Sequence, residues 1–341
     1  MNTMTLKQFW KIIAWLLSGC CFFIHPTVAK NKLELEGYAA SGMIYWHETV
    51  YGMSYYKGKL EVEQKIDDDL EAVLDFRASS ETKEVELKEV FLKIDYSPWI
   101  HVKIGHVKKP FTVEETNSKE DLPMIESSLM NRTMEPFGFV VRGDGMTVYR
   151  KYKGEGAPIG YQAGLYYSES RHLYGAARVE RFEIGPLDRV GFGGICRRFT
   201  GRGEEPVYAL SLDAMRAFGK LNAEIETVYG QDPVENCYRK MEGRTDEAAF
   251  IGGRLLLTYN YPVNRRLFTA LEPVALLGFV APDTDRMEVH KLQCLLGLNI
   301  YLHDKVRIRL NGDLLLSNNR LDTSVYARTG TNFMAEVQTR W

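Results

Sequence analysis

The stretch that decides the fold closes the sequence: Phe333-Met334-Ala335-Glu336-Val337-Gln338-Thr339-Arg340-Trp341. Phe333, Ala335, Val337, Thr339 and Trp341 form one alternating set, and Met334, Glu336, Gln338 and Arg340 form the other. Successive side chains of a β-strand point to opposite faces. The stretch therefore predicts a strand with one largely apolar face and one largely polar face.

Longer segments upstream repeat this alternation. The apolar positions are Leu292, Cys294, Leu296, Leu298, Ile300 and Leu302 in one segment, and Val306, Ile308, Leu310, Leu314 and Leu316 in the next. Shorter runs of the same period occupy 60–66, 90–96 and 221–229, although Gln64 falls on the apolar side and the register of 189–198 is ambiguous. Segments of about 10 residues separated by turn residues are typical of a transmembrane antiparallel β-barrel.

Turn-forming residues predict how the strands are connected. Short connections are predicted at 67–69, 97–98, 154–156, 185–188, 218–219, 261–264 and 303–304. They alternate with connections near Thr49 and at 79–83, 109–138, 168–172, 200–205, 231–246, 282–286 and 318–323. This alternation predicts about 16 strands, with both chain ends on one side of the barrel. The alternative is a soluble exported all-β protein, which explains the strand pattern but not the regular alternation of short and long connections.

Residues 1–29 predict a signal peptide. Two lysines precede an apolar run from Phe9 to Ile24, and Thr27-Val28-Ala29 offers a small-residue cleavage site. The run is shorter than the roughly 20 residues that a spanning helix needs. Lipoprotein processing at Cys20 is the alternative. In either case we expect an exported chain whose barrel occupies residues 30–341.

Composition and cysteine content exclude several classes. The 43 basic and 45 acidic residues nearly balance, which argues against a nucleic-acid partner. Beyond the predicted signal the cysteines are Cys196, Cys237 and Cys294, which are far apart and odd in number, so no disulfide framework is expected. No Cys/His spacing suits a structural metal, and the histidines are scattered without a nucleophile context. We therefore expect no metal, no cofactor and no enzyme activity.

The longest predicted connection, Lys109–Gly138, differs from the others in its apolar content. It includes Phe111, Leu122, Met124, Ile125, Leu129, Met130 and Phe137. Ser118-Lys119-Glu120-Asp121 predicts the start of a short helix within it. Because such a loop is poorly suited to water, we expect it to fold into the barrel and constrict the lumen. The alternatives are a loop that caps the barrel mouth or packs against a neighbouring subunit.

Four motifs between Glu89 and Tyr149 carry a family resemblance. They are the acidic-aromatic strand Glu89–Tyr96, the strand Ile100–Val107 with Lys108-Lys109-Pro110-Phe111 and Glu114-Glu115 after it, the segment Met124–Leu129, and Arg142-Gly143-Asp144-Gly145. Together they resemble the phosphate-selective porin O and P family. His106 stands where that family usually has Gln, and the chain is short for the family. The resemblance implies a 16-stranded outer-membrane barrel, commonly trimeric, with the long loop folded into the pore.

Anion selection in a pore requires cations at the constriction and along the lumen. The loop candidates are the basic residues Lys108, Lys109, Lys119, Arg132 and Arg142 and the acidic residues Glu114, Glu115 and Glu126. The lumen-wall candidates are Lys93, Lys103, Arg197, Lys291, Arg307 and Arg309. Acidic residues alternate with them on the same strands, so the sequence leaves the choice between an anion-selective and an unselective pore open.

The terminal strand also suggests partners. With Phe333, Val337 and the final Trp341 on one face, it resembles the signal by which bacterial outer-membrane barrels are recognised for assembly. We therefore expect the barrel-assembly machinery, outer-membrane lipid, small solutes or anions, and two further copies of the chain as partners. The expected function is passive diffusion of small hydrophilic solutes or ions. A structural or adhesive surface barrel with a plugged lumen is the alternative, kept open by Phe91, Leu295 and Leu315, which fall on the lumen side.

Overall fold

The computed structural model describes residues 32–152, 154, 156–167, 172–198, 206–287, 290–317 and 330–341. The predicted signal peptide 1–29, with Cys20, lies outside the described residues. The connections predicted at 200–205 and 318–323 also lie outside them, as does all of the 168–172 connection except His172.

Antiparallel strands make up most of the described chain. The first nine are β1 Leu33–Trp46, β2 Tyr51–Asp67, β3 Leu70–Ser79, β4 Glu84–Ser97, β5 Ile100–Val107, β6 Gly143–Arg150, β7 Ile159–Tyr167, β8 Leu173–Ile184 and β9 Leu187–Arg198. The remaining strands are β10 Pro206–Phe218, β11 Leu221–Gln231, β12 Ala249–Tyr259, β13 Tyr261–Arg265, β14 Phe268–Ala281, β15 Lys291–His303, β16 Val306–Ser317 and β17 Gly330–Arg340.

The sheet closes on itself because β17 pairs with both β16 and β1. Tyr45 lies opposite Phe333 in this closing pair, and Tyr38 lies opposite Arg340. The short β13 follows β12 after a single residue, and both pair with β14, so the two act as one interrupted wall strand. The 17 segments therefore form a closed antiparallel barrel of 16 strands, which confirms the predicted fold.

One predicted turn is misplaced. The chain was expected to turn at 261–264, but it stays in β13 through Arg265 and turns at the next two residues before β14 begins. Proline is tolerated at position 262 although it has no N–H to donate, because β11 begins at Leu221, opposite Tyr259, and does not extend alongside Pro262. Beyond that point β13 is an edge with β14 as its partner, and proline is accepted on edges.

The two faces of the barrel wall differ in chemistry, as the alternation predicts. Phe333, Val337 and Trp341 are about half exposed on the outside, whereas Glu336 and Gln338 are buried. Exposed aromatic residues gather at both rims. Tyr96, Trp99, Phe218, Tyr259, Tyr261, Phe268 and Trp341 lie near the short turns, and Tyr45, Tyr51, Tyr56, Tyr167, Tyr208 and Tyr229 lie near the longer connections.

The separation of these belts fits a bilayer. Tyr208 and Phe218, one from each belt, lie near the two ends of β10. Their separation corresponds to about 33 Å along a strand, or about 25 Å of height at the tilt usual for membrane barrels. Leu210 and Leu212, also exposed, lie between them.

Within the residues that the structure describes, three α-helices and one 3₁₀ turn occupy the connections. They are α1 Val113–Thr116, α2 Leu129–Met134, α3 Pro233–Met241 and the 3₁₀ turn Thr284–Arg286. Among the described residues, no helix is long and apolar enough to cross a membrane.

Candidate functional site

The inner face of the barrel is lined by polar and charged side chains. In β16, Arg307, Arg309 and Asp313 are buried, while Leu310 and Leu316 on the opposite face are exposed. Charged side chains are this deeply placed only where they find partners. On the inner face, many of these partners come from one long connection.

That connection, residues 108–142, joins β5 to β6 and is called the inner loop below. It contains α1 and α2, which begin after the caps Thr112 and Ser128. The Oγ1 atom of Thr112 accepts a hydrogen bond from the N–H of Glu115 at 3.2 Å, and Ser128 Oγ accepts one from the N–H of Asn131 at 3.2 Å. The helix predicted to start at Ser118 does not form. Residues 118–121 form only a turn, closed by a hydrogen bond of 2.9 Å from the Asp121 N–H to the Ser118 carbonyl. The carbonyl of Glu120 accepts hydrogen bonds from Arg307 and Arg340 of the wall instead of from a following helical turn.

Glu114 holds the two helices of the inner loop together. Its carboxylate accepts hydrogen bonds from the Ser128 N–H at 2.9 Å and the Ser128 hydroxyl at 2.6 Å. Arg254 on β12 lies 3.4 Å from the same carboxylate and 3.0 Å from Glu226 on β11. All three charges are essentially inaccessible, so each depends on the others for compensation.

The first part of the inner loop is bonded to the wall at β8, β10 and β11. The carbonyl of Phe111 accepts hydrogen bonds from Ser211 Oγ at 3.0 Å and Arg178 Nη1 at 3.3 Å. The Val113 N–H donates to Glu226 Oε1 at 2.7 Å. Arg178 is itself held by Asp213 at 2.6 Å. These wall groups belong to the inner face, so the loop lies inside the barrel at this point.

The middle of the inner loop is bonded to β15 and β16. Asn299 Nδ2 donates to the carbonyl of Pro123 at 2.9 Å, and the Ile125 N–H donates to Asn311 Oδ1 at 2.8 Å. Arg309 Nη1 donates to the carbonyls of Leu122 at 3.2 Å and Met124 at 3.0 Å. Arg307 also donates to Leu122, at 3.2 Å. These two arginines therefore bind loop backbone.

The apolar side chains of the loop pack against apolar positions of the inner wall. Phe137 and Phe139 lie 5.4 and 6.2 Å from Phe250 of β12, measured between ring centroids. Buried Leu122 and Met124 share a cluster with Leu276 and Leu295. Phe91 and Leu315 belong to the larger cluster around Phe111. Leu295 and Leu315, two of the lumen-side apolar residues noted in the sequence, are thus covered by the loop.

The base of the loop holds a buried lysine beside an arginine. Lys109 Nζ and Arg197 Nη1 both donate to the carbonyl of Gly138, at 2.5 and 2.6 Å. Burial, with the nearby positive charge of Arg197, lowers the pKa of Lys109 to about 7. Gly138 has φ +71°, and a Cβ there would meet the Arg197 guanidinium, so this position requires glycine.

Two cavities lie between the inner loop and the wall formed by β1–β6. The turn-side cavity, about 450 Å³, is lined by residues near the short turns, including Lys93, Lys103 and Tyr149. The loop-side cavity, about 590 Å³, is lined by residues near the longer connections, including Glu84 and Lys88. Tyr38, Arg77 and Glu120 line both cavities and therefore mark the boundary between them.

At this boundary the loop meets the wall through an ion-pair cluster. Glu120 lies 2.8 Å from Lys59 Nζ and 3.6 Å from Arg77 Nη2. Burial alone would raise the pKa of Glu120, but the positive charges of Arg77 and Lys59 hold it below its usual value. Burial raises the pKa of Glu115, which faces the loop-side cavity. Lys59 and Arg77 were missed by the sequence interpretation, although the alternation Glu71, Val73, Asp75, Arg77 would have placed Arg77 on the inner face.

The residues singled out in the sequence fall into two groups. Those that line a cavity are Lys93, Lys103 and Lys108 on the turn side and Glu115, Lys119, Arg142 and Arg309 on the loop side. Those held in contacts away from both cavities are Lys109, Glu114, Arg197, Lys291 and Arg307, together with Arg132, which lies 3.1 Å from Glu126 and 3.2 Å from Asp313. No group of three or more potential metal-ligating side chains occurs within the described residues.

Comparison with known proteins identifies the fold. No family model matches the chain, and no curated protein matches it. Among solved structures, Salmonella typhi OmpF is 12% identical with a TM-score of 0.65, over 91% of this chain and 98% of that one. An anion-selective porin from Comamonas acidovorans is 11% identical with a TM-score of 0.64, over 92% of this chain and all of that one. OmpT from Vibrio cholerae, in a trimer form, is 10% identical with a TM-score of 0.64, over 92% of this chain and all of that one. At such identities the likeness establishes the fold alone.

Proposed function

We propose that the chain forms a pore in the bacterial outer membrane through which small hydrophilic solutes diffuse passively. The observation that carries the proposal is the pair of cavities lined by charged residues between the inner loop and β1–β6, one on each side of the Glu120 boundary, within a closed wall of 16 strands. A polar lumen inside an apolar outer wall with two aromatic belts is the arrangement of water-filled membrane barrels. The likeness to solved porins supports the same function.

The inner loop is proposed to constrict this pore. It is hydrogen-bonded to β8, β10–β12 and β15–β17, and the two cavities described above lie between it and β1–β6. A further cavity of about 470 Å³ lies between residues 117–123 of the loop and β10–β15. Residues 115–120 of the loop face Arg77, Glu89 and Arg142 there. Solutes would pass between these two groups of side chains.

Weak ion selectivity is proposed at the constriction. Positive and negative groups are paired there. Lys59 and Arg77 both lie beside Glu120. Arg142 lies 2.9 Å from Glu89. The phosphate preference implied by the family resemblance requires unpaired cations along the path. Arg307, Arg309 and Lys108 donate hydrogen bonds to loop carbonyls, which leaves Lys103 as the named cation of the turn-side cavity best placed to favour anions.

The proposed setting is a trimer in outer-membrane lipid, inserted by the barrel-assembly machinery with the short turns toward the periplasm. The aromatic belts support the membrane setting, and the trimer form of the Vibrio cholerae structure supports the assembly. No catalytic role is proposed for the chain.

A structural surface barrel is the second candidate, because the loop and the apolar wall positions Phe91, Leu295 and Leu315 fill part of the lumen. Swelling of liposomes that contain the folded protein separates the two functions. The pore predicts swelling in an uncharged pentose and slower swelling as sugar size increases. Swelling no faster than that of protein-free liposomes would reject the pore and favour the structural barrel.

A further inference from the structure

The charges of the turn-side cavity are segregated by sign. Its carboxylates on β1–β3 are Glu36, Glu61, Glu63, Glu71 and Asp75. Its lysines on and after β4–β6 are Lys93, Lys103, Lys108 and Lys151. An acidic wall therefore adjoins a basic wall around one water-accessible space.

The charges that break this segregation are neutralised locally. On the acidic wall, Lys59 lies 2.8 Å from Glu61 and Arg77 lies 3.2 Å from Asp75. On the basic side, Glu89 is held by Arg142. A Glu71–Lys93 pair at 3.0 Å marks the seam between the two walls.

Glu63 and Lys103 are left without a partner of opposite charge. Within the described part of the chain, neither makes a salt bridge. The Lys103 ammonium is instead held over aromatic rings, 4.4 Å from the centroid of Phe91 and 5.5 Å from that of Tyr149. Lys103 also lies directly opposite Lys93 across β4 and β5. Like charges in such positions are unfavourable, so a bound anionic group would relieve the repulsion. Glu63 has acidic neighbours on its own wall, so a bound cationic group would relieve the repulsion there.

The spacing of these two residues limits the solute. Glu63 on β2 is level with Gly105 on β5, and Lys103 lies two residues from that level, so Glu63 and Lys103 are about 16 Å apart along the wall at the usual strand and residue spacings. Both side chains extend inward, which leaves a gap of about 5–10 Å to be bridged. An α-amino acid is too short, whereas two or three peptide units at about 3.5 Å each span the gap. The cavity of about 450 Å³ has room for such a chain.

We propose that the turn-side cavity binds short linear peptides with free ends, the ammonium at Glu63 and the carboxylate at Lys103. This inference rests on the proposed function, because the peptide reaches the cavity through the pore. It assigns the pore a preference for solutes that carry both charges, separated by the length of a di- or tripeptide.

The test is peptide block of single-channel current through the purified full-length protein. The probes are trialanine, its N-acetylated form, its C-terminal amide and the doubly capped form, which differ only in terminal charge. Trialanine is expected to block with an affinity about three- to fivefold higher than either singly capped form, as for a partly exposed charge pair. Glu63→Gln should make the blocking affinity of trialanine equal to that of its acetylated form. Lys103→Met should make it equal to that of the amide. Glu242→Gln and Lys305→Met, which change exposed residues outside the cavity, should change neither comparison.

The remaining outcomes overturn the proposal. Equal block by trialanine and its acetylated form would mean a simple anion site, and equal block by trialanine and its amide a simple cation site. A conducting channel that no probe blocks would reject the peptide site and leave the pore intact. A folded protein without conductance would reject the proposed function and this inference together.

Discussion

Glu120 pairs the inner loop with β2 and β3 at the boundary between the two cavities. Its carboxylate faces Lys59 and Arg77, so neutralising it would make the boundary of the two cavities more positive by one charge. A net positive charge in a narrow pore favours anions.

Replacing Glu120 by Gln should therefore shift the reversal potential in a KCl gradient toward that of chloride. Glu242→Gln removes the same charge from an exposed position at the end of α3 and should leave the reversal potential unchanged. An unchanged value for Glu120→Gln would mean that ions do not pass this boundary.

Arg254 compensates two buried carboxylates at once. In Arg254→Met, Glu114 and Glu226 would remain buried without their cation, which should lower the free energy of unfolding by about 3 kcal/mol. Denaturant unfolding of the refolded barrel measures this loss. Arg265→Met, at an exposed position at the end of β13, is the matched control and should have little effect.

Lys109 gives a pH dependence of known sign. Its folded-state pKa of about 7 lies below the value of about 10.4 expected in the unfolded chain. Between these values the unfolded chain holds the proton and the folded chain does not, so stability should rise as pH increases from about 7 to about 10. Lys109→Met should flatten this rise in denaturant unfolding measured at several pH values. An unchanged slope would show that Lys109 stays charged in the fold.

Trp341 combines a structural contact with the predicted assembly signal. Its indole lies over Gly37, where a Cβ would overlap the ring, and the backbone N–H of Trp341 donates a hydrogen bond to the Gly37 carbonyl at 3.2 Å. Trp341→Ser should reduce the amount of folded, heat-modifiable barrel in the outer membrane. Tyr261→Ser removes an exposed aromatic residue from the same belt and should have a smaller effect. Equal losses in the two variants would argue against a special role for the terminal residue.

At the scale of elements, the strands could be predicted from the sequence because each residue's face follows from its own position. The last strand runs Gly330–Arg340 as its alternation indicates. The helices of the inner loop were not predicted, since α1 and α2 have only four and six residues and depend on wall contacts. Arg307 and Arg309 could be assigned to the inner face, but the loop carbonyls they bind are more than 180 residues away in sequence. No local pattern identifies such a partner.

The inner loop can be shortened where the structure brings its ends together. Because Glu114 bonds Ser128 directly, residues 116–127 can be replaced by a short Gly-Ser linker that leaves both anchors in place. The shortened loop should increase single-channel conductance, since Glu120 and its neighbours no longer occupy the passage. A linker of the same composition that replaces 242–245, between α3 and β12, should not alter conductance. Unchanged conductance on shortening the inner loop would reject its role as the constriction.

At the scale of the whole molecule, the closed wall, the polar interior and the two aromatic belts describe a barrel built for a membrane. Closure brings β1 beside β17, so the two ends of the described chain meet in one antiparallel pair. The inner loop is hydrogen-bonded to the wall along β8–β16, where a cavity of about 470 Å³ remains, and the proposed passage follows β1–β6. Diffusion of solutes through the barrel requires that passage to be continuous.

Single-channel current through the folded protein in a planar bilayer, recorded in symmetrical KCl, tests this continuity most directly. A continuous passage should give discrete, uniform current steps, and a reversal potential close to zero when a KCl gradient is then imposed. A protein shown to be folded that gives no steps would contradict it, because the Glu120 cluster would then close the lumen.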